Sequence, residues 1–208
     1  MRSASFLPAV PGNHPRGWLS LIHICPPIPI RTYSVQKLRQ AVHIRRSFRI
    51  TNHNLVIQIW KEDGLGTFLD GYLKVINPDD YLELLQDSYF RGDIAFPMFV
   101  TAFGDVITWE ENAYVLIVQY NIQDCNIIIK RLSHFLNFLD DEYVLRYFDI
   151  PLYKKAVAKH GELAYDECFG FVPLLALGGF KDVDHMEKVK TLEHIYLMYQ
   201  LTGGVFDD

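Results

Sequence analysis

Between Phe96 and Lys130 the chain alternates short runs of β-branched and aromatic residues with turn-forming residues, a pattern that few folds can accommodate. The runs are Phe99-Val100-Thr101-Ala102-Phe103, Val106-Ile107-Thr108-Trp109, Tyr114 to Tyr120 and Asn126 to Lys130. Gly104-Asp105, Glu111-Asn112 and Asn121 to Asp124 separate them at hairpin distances, so an antiparallel meander of about four strands is predicted. The earlier run Tyr72 to Ile76 suits a further strand. Asn77-Pro78-Asp79-Asp80 then makes a turn that also caps a helix, with Tyr81, Leu84 and Leu85 toward the core.

Helical spacing flanks this region. Leu55, Val56, Ile59 and Trp60 mark a short helix stopped by Asp63-Gly64 and Gly66. Leu132, Phe135, Leu136 and Leu139 mark another, and Asp140-Asp141 caps the next short one. Pro151 opens a helix that His160-Gly161 closes. The last helix is predicted from about Glu187 to Leu201, with Val189, Leu192, Ile195, Tyr196 and Tyr199 on one stripe and Gly203-Gly204 at its end. The expected class is α+β: an antiparallel meander of about four to five strands flanked by helices, with a helical C-terminal part. With 50% hydrophobic residues over 208 positions, the chain can bury one good core or two small ones.

Charge divides the chain. Nine of its 20 Lys and Arg fall in residues 1–61, which hold no Asp or Glu; the remainder has 11 bases against all 25 acids, a net of −14. Such a body repels nucleic acid and attracts basic surfaces, including those of proteins that bind nucleic acid. The basic stretch is rich in Pro and Arg and open to three readings: a transit peptide, an arm that touches nucleic acid, or a foreign sequence. Leu19-Ser20-Leu21-Ile22-His23-Ile24 looks like the translation of a transposon end used in preparing sequencing libraries. Residues 1–51 are therefore read as chimeric or disordered and outside the fold.

Few residues are placed for chemistry. Cys25, Cys125 and Cys168 share no close spacing, so neither a disulfide framework nor a zinc site of C-x-x-C type is expected, and a reducing cytoplasm fits. Gly64-x-Gly66 lacks the later Gly and the Lys-Ser/Thr pair of a phosphate cradle and reads as a turn. His185 and His194, with Glu187 and Glu193, do not share a helical face as i, i+4 ligands would, so no metal is expected. No serine stands in a G-x-S-x-G elbow. The run Phe171 to Phe180, broken by Pro173, Gly178 and Gly179, falls short of the roughly 20 residues of a membrane helix. Asp166-Glu167-Cys168 pairs acids with a nucleophile type, and with His185 it defines an alternative, a small-molecule hydrolase or ligand-binding enzyme. A structural thiol beside a loop carboxylate pair is the plainer account. An adaptor with some other protein partner is a third.

The carboxylate pairs Asp79-Asp80, Glu110-Glu111, Asp140-Asp141 and Asp166-Glu167 read singly as solvated surface. Beside the net of −14 they suit a basic protein partner, and Glu110, Glu111, Asp140, Asp141, Asp166 and Glu167 are the candidate contacts.

Longer words carry a resemblance. Trp60-Lys61-Glu62-Asp63-Gly64-Leu65-Gly66-Thr67-Phe68, Gly71-Tyr72-Leu73-Lys74-Val75-Ile76-Asn77-Pro78-Asp79-Asp80-Tyr81, Thr101-Ala102-Phe103-Gly104-Asp105 and Trp109 resemble the GAD-like domain family. Asp166-Glu167-Cys168-Phe169-Gly170-Phe171-Val172-Pro173, Ala176-Leu177-Gly178-Gly179, Lys188-Val189-Lys190 and Glu193-His194 resemble the C-terminal domain of type VI secretion immunity proteins. The resemblance covers about residues 54–205 and implies domains at 52–124 and 125–208. It implies a bacterial cytoplasmic antitoxin that neutralises a DNA-degrading toxin by binding it, with no catalysis and no cofactor. The family words read mostly as scaffold: Gly64, Gly66, Gly104, Gly178 and Gly179 in turns, Asn77-Pro78 in a capping turn, and Trp109 in the core.

Overall fold

A computed structural model describes residues 66–206. The helix expected near Leu55, the basic segment 1–51, Trp60 and Gly64 lie outside the described residues. Six strands follow one another in one antiparallel sheet: β1 (Thr67–Phe68), β2 (Leu73–Val75), β3 (Phe96–Thr101), β4 (Val106–Glu110), β5 (Tyr114–Gln119) and β6 (Asp124–Lys130). The predicted meander is present. It gains β1, whose two residues are too few to show a period in sequence.

Every residue of β3 and β4 is buried, as in a strand covered on both faces. Side chains alternate across a strand, and the core divides accordingly. Ile107 and Trp109 of β4 and Val115 and Ile117 of β5 belong to one cluster, while Val106 and Val118 belong to another. The first cluster is closed by helices α2 (Leu132–Asn137), α3 (Glu142–Leu145) and α4 (Ile150–His160), through Phe135, Val144, Tyr153 and Ala156. Helices α1 (Leu82–Ser88) and α5 (Thr191–Thr202) close the second, through Leu84, Leu85, Ile195 and Met198.

The local signals hold at most helix ends. Asn77 caps the 3-10 turn Pro78–Asp80, and the Asp141 side chain accepts from the Tyr143 amide at the start of α3. Pro151 stands in the first turn of α4, and Gly161 follows it. The β4–β5 turn has Glu111 and Asn112 at φ 53° and 56°, the left-handed pair that matches hairpin twist.

The C-terminal part departs from the expected reading. The helix expected from about Glu187 to Leu201 is present only from Thr191, as α5, and its first four residues belong instead to a strand, β8 (Met186–Lys190). Strand β8 pairs antiparallel with β7 (Glu167–Phe171), so Asp166-Glu167-Cys168 leads into a strand and not a loop. Val189 stands three residues before Leu192 and so imitates a turn of the helix that follows, but pairing with β7 overrides that local pattern.

Candidate functional site

The six candidate carboxylates belong to three parts of the fold and differ in environment. Glu110 closes β4, and alternation turns its side chain to the face of Val106 and Thr108. It has no exposure, and it accepts from Arg91 Nε at 2.6 Å, Thr108 Oγ1 at 2.9 Å and the Tyr89 hydroxyl at 3.1 Å. The expectation of an exposed charge at Glu110 is therefore corrected. Glu111 turns outward and pairs with Arg91 Nη2 at 2.7 Å. Asp140 and Asp141 are exposed before α3. Asp166 is exposed and accepts from Lys190 Nζ at 2.7 Å, which holds its carboxyl below the usual range. Glu167 Oε2 accepts from the Ala164 amide at 3.0 Å.

The alternative cluster is not assembled. Cys168 follows Glu167 on β7, so their side chains point to opposite sides. Burial leaves the thiol no exposure and pushes it up to about 12, away from the thiolate that a nucleophile requires. His185 is bound to Asp182, with Nδ1 2.8 Å from Oδ1. It precedes Met186, which pairs with Phe171, whereas Cys168 pairs with Val189 at the other end of the hairpin. Among the described residues no group of His, Cys, Asp and Glu is placed to hold a metal ion, and no helix is long and apolar enough to cross a membrane.

Two residues named only in passing in the sequence have roles that the fold alone reveals. Lys74 lies within β2, and alternation with Leu73 and Val75 sends it to the other face. Its buried ammonium donates to Ala164 O at 2.8 Å and to Glu167 O, and burial lowers it to about 8. His194 of α5 is buried over Gly170, with its Nε2 unpartnered among the described residues. Of the motif glycines, Gly71, Gly104 and Gly178 have left-handed φ of 90°, 82° and 88°. A Cβ on Gly179 would lie 1.9 Å from Pro173 O, so a close approach explains it. Trp109 is buried, as expected.

The helices are also sorted by charge. The turn Pro78–Asp80 and helices α1 and α5 carry Asp79, Asp80, Glu83, Asp87 and Glu193 and not one Lys or Arg. Helix α4, over the opposite face of the sheet, carries Lys154, Lys155 and Lys159 and no acid. Tyr196 of α5 packs against the cluster that holds Leu84 and Leu85 of α1, and burial, followed by Glu83 and Asp87, raises its hydroxyl, so the acids of the two helices lie on neighbouring elements. Only Asp79-Asp80 among these acids forms a run in sequence.

The chain matches two family models in order: GAD-like domain, over residues 35–122, and T6SS immunity protein Tdi1, C-terminal, over residues 130–202. It joins a GAD-like domain to the C-terminal domain of a type VI secretion immunity protein. No curated protein matches at a significant level. In fold, it is similar to the crystal structure of Atu4351 from Agrobacterium tumefaciens, at 14% identity and a TM-score of 0.59, over 78% of this chain and 80% of that one.

The GAD-like match starts upstream of residue 52 and ends after β5, and the immunity-protein match begins at the last residue of β6. The two domains are bound into one another. Lys74 of the GAD-like domain ties down Ala164 and Glu167 of the immunity-protein domain, and the Phe169 amide donates to Ala102 O at 2.7 Å. Helix α1 from the first and α5 from the second share a core cluster, so the acidic surface belongs to both.

Proposed function

We propose that this immunity protein binds a cognate type VI toxin that degrades DNA, and neutralises it by covering the basic surface that holds the substrate. The observation that carries this reading is the match of residues 130–202 to the Tdi1 C-terminal family. Physical chemistry supports the finer part. A nuclease is basic where it holds DNA, and the chain beyond residue 61 has 11 bases against 25 acids. An acidic cover gains rate and selectivity from that complementarity. The protein acts by occlusion and without catalysis, in the cytoplasm, where an incoming DNase meets its substrate. Of the candidate carboxylates, Glu111, Asp166 and Glu167 are proposed contacts, whereas Asp140 and Asp141 precede α3 over the other face of the sheet; the domain junction is proposed near residue 124.

Co-purification with the product of the neighbouring gene, followed by a plasmid-degradation assay, tests this. The expected result is a complex that weakens as salt shortens the Debye length from about 10 Å at 0.1 M, and DNA that survives only when this chain is present. A DNA-degrading neighbour that the chain neither binds nor inhibits would end the proposal.

A further inference from the structure

We propose that helices α1 and α5 together form the face on which the partner docks, and that the partner presents Lys and Arg around an apolar groove. This inference rests on the immunity reading and names its surface. On α5, Glu193, Leu197 and Leu201 recur every four residues and so form one stripe. Leu197 and Leu201 are 46% and 54% exposed, although aliphatic side chains this large are usually inside. Beside the stripe stands Tyr196, which packs against the cluster formed with Leu84 and Leu85 of α1, and that helix carries the exposed Glu83 and Asp87 one turn apart. Phe206 and Phe90, also exposed, continue the apolar strip, because the Phe90 amide donates to Val205 O at 3.0 Å and brings the two segments together.

Leucine and aromatic groups flanked by charge are the anatomy of a protein interface, an apolar centre inside a polar rim. On the two helices the charge is of one sign, and Arg91 beside Phe90 is bound to Glu110 and Glu111. Neither helix contains a Lys or Arg, and Lys190, immediately before α5, is bound to Asp166 at 2.7 Å. A second copy of this chain would set Glu83, Asp87 and Glu193 against carboxylates, which like-charge repulsion opposes. A basic partner meets no such cost. The surface is also rigid, since Leu84, Leu85, Ile195 and Met198 beneath it are buried in one cluster. A preorganised face loses little entropy on binding.

The test uses the purified product of the neighbouring toxin gene, titrated calorimetrically into the full chain and three variants. These are Leu197→Ser with Leu201→Ser, Glu83→Lys with Asp87→Lys, and, as a control on the opposite side, Lys154→Glu with Lys155→Glu. Circular dichroism confirms that each is folded, and amide exchange of the unmodified complex maps protection without any substitution. Expected are a loss of roughly 100-fold in affinity for the first two, the scale of truncated interface anchors, and protection over α1 and α5. The control keeps its affinity. If the unmodified chain binds while both face variants bind within about threefold of it, the docking face is wrong and the immunity reading stands. A wild-type chain that fails to bind overturns the immunity reading and the docking face with it. A dimer of the chain alone that the double serine variant dissolves would assign the face to a second copy and overturn the basic partner.

Discussion

Arg91 holds the carboxylate of Glu110 inside the domain: its Nε donates to Glu110 Oε2 at 2.6 Å while its Nη2 reaches Glu111 at 2.7 Å. One guanidinium thus binds two neighbouring acids whose environments are opposite, for the Glu110 side chain has no exposure and that of Glu111 has 52%. Glu110→Lys places a second cation beside Arg91 and removes the acceptor for Tyr89 and Thr108. It should cost about 3–5 kcal/mol, as loss of one partner of a buried pair does. Glu111→Lys should cost within about 1 kcal/mol. Urea denaturation of the two variants checks this, and equal midpoints would mean that Glu110 carries no structural burden.

Asp105 gives the domain a pH dependence of definite sign. Burial raises its carboxyl from 3.8 to about 6, against the opposing hydrogen bond from Thr101 Oγ1 at 3.0 Å. A group with a raised folded pKa favours the fold when protonated. Its contribution is therefore complete below pH 3.8 and lost as pH rises through about 6. Asp105→Asn keeps an acceptor for Thr101 and removes the titration. The unfolding free energy of the wild type minus that of the variant should fall on the order of 3 kcal/mol between those limits. A difference that is flat with pH would show that the carboxyl titrates normally.

How far the sequence could be read follows from where each structure gets its stability. The meander from Phe96 to Lys130 was legible because its strands combine β-branched residues with local turn chemistry. Caps at Asn77 and Asp141 were legible for the same reason, since each is a contact over two residues. Strand β8 was not, because its extended form depends on pairing with β7, and Val189 spaced three before Leu192 suggests a helix. Glu110 and Glu111 read as one exposed pair because adjacency in sequence hides the side-to-side alternation of a strand. The acidic surface of α1 and α5 was invisible for the converse reason: Glu83, Asp87 and Glu193 are single acids that only tertiary packing assembles. Lys74 reads as any strand lysine until the carbonyls of Ala164 and Glu167 are seen above it.

Cys168 should behave as an inert core residue. Its thiol has no exposure and is pushed up to about 12 by burial, whereas Cys125 is only half-buried. In a Cys25→Ser background, a thiol-specific reagent at neutral pH should label Cys125 first. Cys168 should react only at the rate of global unfolding, because a buried thiol is reached through the open state. Rapid labelling of Cys168 in the folded protein would revive a reactive role for the Asp166-Glu167-Cys168 segment.

Gly170 owes its identity to the histidine above it. A Cβ at this position would lie 2.7 Å from His194 Cε1, 2.8 Å from its Nε2 and 2.9 Å from Val189 Cγ2. Both contacts with the ring are closer than carbon atoms tolerate, and His194 is itself buried, so the ring must shift into a packed neighbourhood. Gly170→Ala should therefore destabilise by about 1–3 kcal/mol, the scale of overpacking. His194→Ala opens that space, so the double variant should be more stable than the sum of the two single losses implies. A coupling of at least about 0.5 kcal/mol in a thermodynamic cycle would locate the clash at this pair. Strict additivity would place the cost instead in the β7 backbone or against Val189. His194 also bears on acid stability. Burial lowers its pKa, so the folded state favours the neutral ring and loses that stability as pH falls through the lowered value. The His194→Ala series should then unfold less steeply with acid than the parent.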